Sequence, residues 1–133
     1  MLTIRLDSPL PLVDQIRTGI RQAIAAGELG PGDALPTVRQ LASDLGINLN
    51  TVARAYRQLE ADGLVSTRRG RGTVVEAARE ARHEPAESVR QRIGEQIRTV
   101  LADARLAGLS AADMKRLIAE ESQALWPGKG ENR

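Results

Sequence analysis

The spacing of Thr37, Gly46 and Asn48 constrains this chain more than any other feature of its sequence. Thr37 follows Pro36, and its hydroxyl suits the start of a helix, where it caps free N–H groups of the first turn. Leu41, Ala42 and Leu45 then recur on one helical face. Gly46 supplies the left-handed backbone at which helices end, and Ile47 is a buried-type residue in the turn. Asn48 is a natural cap for a second helix, in which Val52, Ala55, Tyr56 and Leu59 form the apolar stripe. Asn50, Thr51, Ala53, Arg54 and Arg57 fall on or beside the opposite face, and Asp62-Gly63 closes the helix.

After Gly63 the period becomes that of strands. Leu64 to Thr67 and Thr73 to Val75 are short β-type runs on either side of Arg68-Arg69-Gly70-Arg71-Gly72. The glycines permit a tight turn and close backbone approach. The loop holds three arginines and no acid, a composition suited to phosphate contact or a minor groove. Two helices, a tight turn and a basic hairpin predict a winged helix-turn-helix, whose usual work is reading duplex DNA.

These residues resemble the DNA-binding domain of the GntR family of bacterial transcription regulators. The resemblance rests on LPTVRQLA, GINLNTVARAYRQLEADGLV and RRGRGTVV, and upstream on PLVDQIRTGIRQAIAAGELGPGDALP, so that it runs from Pro9 to Val75. It implies a double-stranded DNA operator as partner. The second helix would enter the major groove by its N-terminus, with Asn48, Asn50 and Thr51 at base edges or nearby phosphates and Arg54 toward a phosphate. Arg39, at a position where the family uses Arg for DNA contact, would reach a guanine or phosphate. The wing would supply Arg69, Gly70 and Arg71, with Arg68 a weaker candidate. Bland roles stand beside these: a helix cap for Asn48, an ion pair with Asp44 for Arg39, plain solvation for Arg54 and Arg57. Leu49 and Ala53 stand where some relatives carry polar or basic residues, so base specificity does not transfer from them.

Upstream, Leu2 to Leu6 alternates as a short strand would. Pro11 opens a helix in which Val13, Ile16, Ile20, Ala23 and Ile24 give a core-facing stripe, and Gly27 to Gly32 reads as a loop. Residues 1–76 thus form the predicted DNA-binding domain, and residues 77–85, rich in Ala, Arg and Glu, read as a linker. Residues 86–133 are predicted as a helical tail. Its first helix carries Val89, Ile93, Ile97, Val100, Leu101 and Ala104 at helical spacing and ends at Gly108. Ser110 and Asp113 suggest a capping box for a second helix, striped by Met114, Leu117, Ile118 and Leu125. The expected class is therefore mainly α with a small β wing.

So short a tail resembles that of the YtrA-type subfamily, whose helical tails dimerise. Two singly striped helices cannot bury both stripes alone, and a twofold homodimer through Val89, Ile93, Ile97, Val100, Leu101, Leu117 and Ile118 is the economical solution. The family also implies repression, of its own or a neighbouring operon, sometimes a transporter operon. A small-molecule effector stays open, bound between subunits if anywhere.

The formal net charge is only +2, with 19 basic and 17 acidic residues, so the placement of Arg in the helix-turn-helix and wing matters more than the total. With one Trp, one Tyr and no Phe, the core must come from aliphatic residues, which favours gaining stability by pairing. The absence of cysteine excludes disulfides, a thiol nucleophile and a zinc finger, and fits the cytoplasm. The one histidine, His83, lacks a partner for a metal site or a nucleophile–base pair, so neither enzyme, cofactor nor metal is expected. No stretch is a membrane helix or a signal peptide. The competing function is a winged-helix protein-interaction module without specific DNA binding, which the low net charge would suit.

Overall fold

The hydroxyl of Thr37 accepts the Gln40 backbone N–H at 2.9 Å and opens the helix Val38–Leu45. Gly46, at φ 69°, ends it in the left-handed region, and Asn48 starts the next helix by accepting the Asn50 N–H at 2.7 Å. These caps occupy backbone groups that helix ends otherwise leave unpaired, which is why the turn between the helices can be so short. The computed structural model describes residues 4–76 and 84–128, and the chain falls into two units, Met1–Ala81 and Arg82–Arg133.

In the first unit the order is α1 (Leu12–Ala25), α2 (Val38–Leu45), α3 (Leu49–Ala61), β1 (Val65–Arg68) and β2 (Gly72–Val75). Ile16 and Ile20 of α1, Leu41 and Ala42 of α2, and Val52, Ala55, Tyr56 and Leu59 of α3 form one buried cluster with Leu35, Val65 and Val75. All four predicted stripe residues of α3 are buried, and α1 supplies the core support its period implied. The strands pair antiparallel with Arg68 opposite Gly72. The segment Asp33–Leu35 lies along the other edge of β2: the Leu35 N–H donates to the Thr73 carbonyl and the Val75 N–H to the Asp33 carbonyl, both at 2.8 Å. Of the strand expected at Leu2–Leu6, residues 4–6 are not extended into a sheet. The Gln15 side chain takes both backbone groups of Arg5, accepting its N–H at 2.8 Å and donating to its carbonyl at 2.9 Å, so no sheet partner is needed there.

Tyr56 ties α3 to the segment before α2 by donating its hydroxyl to the Pro36 carbonyl at 2.6 Å. Burial pushes its phenol up to about 12. The folded chain therefore keeps a proton that the unfolded chain releases near pH 10; the stabilisation is complete below that value and is lost as pH rises through about 12. The rise from 10 to about 12 makes the loss roughly 1 kcal/mol by pH 11. Urea unfolding at pH 8 and pH 11 should show a larger loss for the parent than for Tyr56→Phe; equal losses would remove this proton from the stability balance.

The second unit holds α4 (Ala86–Leu106) and α5 (Ala111–Leu125). Gly108, at φ 98°, lies in the turn between them. The expected capping box is present: Ser110 Oγ accepts the Asp113 N–H, and the Asp113 carboxylate accepts the Ser110 N–H. Hydrogen bonds from Ser110 hold that carboxyl below its ordinary range. Most of the predicted linker, with His83, and the last five residues lie outside the described residues.

Candidate nucleic-acid interface

Residues 52, 55, 56 and 59 turn one side of α3 inward, and the helical period places Asn50, Arg54 and Arg57 on the side opposite. All three are exposed, and Asn50 and Arg54, four residues apart, are neighbours along that surface. Thr51 is half-buried and Ala53 likewise, while Leu49 is exposed at the helix start. The Asn48 cap uses its side-chain oxygen, and its amide N–H groups have no partner among the described residues. Capping and DNA contact are thus compatible in one side chain.

Arg39 is the second residue of α2 and is exposed. The Asp44 carboxylate, the acid nearest it in the helix on sequence grounds, instead accepts Gln40 Nε2 at 2.8 Å. Among the described residues, Arg39, Arg54, Arg57 and Arg69 have neither a hydrogen-bond nor an ion-pair partner through their side chains. In the wing, the Arg71 N–H closes a turn onto the Arg68 carbonyl at 3.0 Å, with Gly70 at φ 79° in its third position. That backbone region is what this turn position demands and what glycine adopts without strain. Arg69, Gly70 and Arg71 form the exposed tip, and Arg71 Nη2 lies 3.5 Å from the Gly32 carbonyl.

Arg68 departs from the expectation of an arginine loop without a neutralising acid. It belongs to β1 and meets Glu76 at 2.8 Å. Ser66 Oγ donates to the same carboxylate oxygen. The Ser66 hydrogen bond and then Arg68 hold the Glu76 carboxyl below its ordinary range. The acid lies outside the loop, and only the hairpin register brings it alongside.

The model of the gntR family of bacterial regulatory proteins matches residues 12–75. The HTH-type transcriptional repressor YtrA of Bacillus subtilis is 35% identical over 129 residues, covering 97% of this chain and 98% of its own. The chain belongs to the gntR family. The gntR-family chain is also similar to the crystal structure of a transcriptional antiterminator from Listeria monocytogenes EGD-e, with TM-score 0.77 and 29% identity over 94% of this chain and 92% of that one. The AraR DNA-binding domain in complex with operator ORX1 matches at TM-score 0.51 and 28% identity, covering 56% of this chain and 95% of that one. The protein is a DNA-binding transcription regulator of mainly helical fold with a winged helix-turn-helix, similar to YtrA over nearly its whole length.

On α4 of this gntR-family chain, Ile93, Ile97, Val100 and Leu101 are exposed and Val89 is partly covered; on α5, Leu117 and Ile118 are exposed. Ala104 and Met114 are buried. The unit therefore carries an uncovered apolar face of the kind that marks an interaction surface. An open groove of about 580 Å³ at the helix turn is lined by Leu101, Leu109, Met114 and Ile118, with Arg105 and Lys115 beside them. Leu101 and Ile118 belong to both the groove and the predicted pairing face. Among the described residues no group of three or more His, Cys, Asp or Glu could hold a metal ion, and no helix is long and apolar enough to cross a membrane.

Sequence reading missed the ion pairs that anchor the end of α3. Asp62 caps its C-terminus, where a negative charge opposes the helix dipole. Arg17 and Arg21 of α1 offset it at 3.1 and 3.4 Å. Partners so distant in sequence leave no local periodic signal. The Ser66–Arg68–Glu76 cluster had one available signal, namely the strand register.

Proposed function

We propose that the protein is a homodimeric repressor that binds a pseudo-palindromic operator in its own or a neighbouring operon. Residues 1–76 serve as the DNA-binding domain, residues 77–85 as linker and residues 86–133 as dimerisation tail. The observation that carries the reading is the exposed side of α3, where Asn50 and Arg54 lie side by side opposite the core, next to a capped helix start. Asn48, Asn50 and Thr51 act at the leading end of the recognition helix in the major groove, and Asn presents the donor and acceptor that match adenine. Arg39 reaches a guanine or phosphate, Arg54 a phosphate, and Arg69, Gly70 and Arg71 bring the wing to the neighbouring groove or backbone. The repression named for YtrA supports the sense of regulation. Any effector binds between subunits, since the short tail leaves little room for an enclosed pocket. A DNA-bound regulator of this kind works in the cytoplasm.

Fluorescence anisotropy against the chain's own upstream DNA and a scrambled duplex, across a salt series, tests this. Tight binding to the native duplex alone, with a steep salt slope and two subunits per site, is expected. Weak, equal binding to both would point to an operator elsewhere or to a protein partner, which a genome-wide binding selection separates. Arg39→Ala should weaken operator binding by about 1–3 kcal/mol and relax selectivity at one base position. Unchanged affinity would take Arg39 out of the contact set.

A further inference from the structure

The hairpin register places residues 64, 66 and 68 on the same face as 72, 74 and 76. Ser66, Arg68 and Glu76 thus share one face, and the Glu76 N–H, bonded to the Leu64 carbonyl at 2.9 Å, fixes the backbone from which the carboxylate projects. Two donors converge on one oxygen of that carboxylate, Arg68 Nη2 and Ser66 Oγ, and Arg68 Nε lies 3.3 Å from the same hydroxyl. A lone surface ion pair is weak because two long side chains must be ordered for it. Here the strand pairing orders both ends in advance. Among the described residues, the three wing arginines therefore have a fixed cancelling partner for only one, Arg68; the cation next along the chain, Arg69, has none there.

We infer that Glu76 is a selectivity residue: it withholds Arg68 from DNA phosphates, so that the wing meets DNA with Arg69 and Arg71 alone. This rests on the wing contacting DNA, as proposed above. Non-specific binding is almost wholly a matter of how many phosphates are neutralised. An extra free arginine at the wing would strengthen every such encounter. The operator complex gains less from it, because α3 already fixes the register of the head on the duplex and leaves Arg68 little freedom to seek a phosphate. Cancelling one wing charge thus lowers background binding more than operator binding. The carboxyl is held ionised by its two hydrogen bonds, so the cancellation persists across the pH range in which DNA binding is measured.

The test uses the intact chain, its own upstream duplex and a scrambled duplex, titrated by anisotropy from low to moderate salt. Glu76→Gln keeps an acceptor for Ser66 but removes the charge. It should steepen the salt slope on the scrambled duplex by about 0.9, the increment for one more phosphate contact. Affinity for that duplex should rise about five-fold near physiological salt, with a smaller rise for the operator. The double variant Glu76→Gln/Arg68→Gln should return to the parent slope. An unchanged slope in Glu76→Gln overturns the inference, as does an equal gain on both duplexes. A double variant that stays steep also overturns it, because the gain would then come from the lost acid rather than from a freed Arg68. Arg71→Ala separates the two levels. If it shallows the slope while Glu76→Gln does nothing, only the role of Glu76 falls; if Arg71→Ala leaves the slope unchanged, the wing contact falls and this inference with it. Thermal melts by circular dichroism check that each variant is folded.

Discussion

If the protein pairs as proposed, Ile97→Glu in the intact chain is expected to turn the proposed dimer into a monomer and to lower operator affinity by roughly 10²–10⁴-fold. Ile97 is 46% exposed and Val100 55% exposed on α4, a 21-residue helix with only Ala104 buried. Leaving so much aliphatic surface in water is unfavourable, since covering one such side chain contributes about 1.5–3 kcal/mol. In a twofold pair each substitution acts twice, and each new carboxylate would have to be dehydrated against an apolar partner. Glu is a good helix former, so the helix itself should survive and far-UV circular dichroism should change little. The loss in DNA binding follows from linkage between heads: once one head is bound, the tether raises the local concentration of the other, and a monomer forfeits that gain. Sedimentation velocity and anisotropy on the same samples read both effects. A variant that still sediments as a dimer would place the interface away from this face of α4. A monomer that binds the operator as tightly as the parent would show that pairing is not needed for recognition.

The fold was legible where its causes are local. Thr37, Gly46, Asn48 and the Ser110–Asp113 box each act within one helical turn, and all four are used as their chemistry suggests. The α3 stripe at 52, 55, 56 and 59 was readable because burial follows the 3.6-residue period. Interactions set by long-range register were not. Asp62 meets Arg17 and Arg21, Arg68 meets Glu76, and Asp33–Leu35 joins the edge of β2, each only after helices and strands have packed. The alternation at Leu2–Leu6 misled because Arg5 in that segment has its backbone N–H and carbonyl bonded by Gln15 rather than by a strand. At the candidate interface, the exposed side of α3 could be read as the complement of its buried stripe. The cancellation of Arg68 could not be read from composition, because its acid lies eight residues on, beyond the turn.

Leu59→Ala should destabilise the DNA-binding unit by about 2–5 kcal/mol. Leu59 is fully buried in α3, in a cluster with Ile16, Ile20, Val52 and Tyr56. Removing its branched end costs the transfer free energy of those atoms plus that of the cavity left behind, together about 2–5 kcal/mol. Domains of this size have only about 5–15 kcal/mol in hand, so a large share of the stability is at stake. Relief by collapse is limited, because Ile16, Ile20, Val52 and Val65 are themselves fully buried and close-packed interiors relax only partially. Leu49→Ala on the same helix is the contrast: at 41% exposed it leaves no enclosed cavity and should stay within about 0.5 kcal/mol of the parent. Urea titration should therefore show a much lower midpoint for Leu59→Ala with little change in slope. Its apparent operator affinity should fall with the folded fraction and recover on cooling toward the temperature of maximum stability. If Leu59→Ala and Leu49→Ala unfold at the same urea concentration, the packing of α3 against α1 is not what stabilises the head.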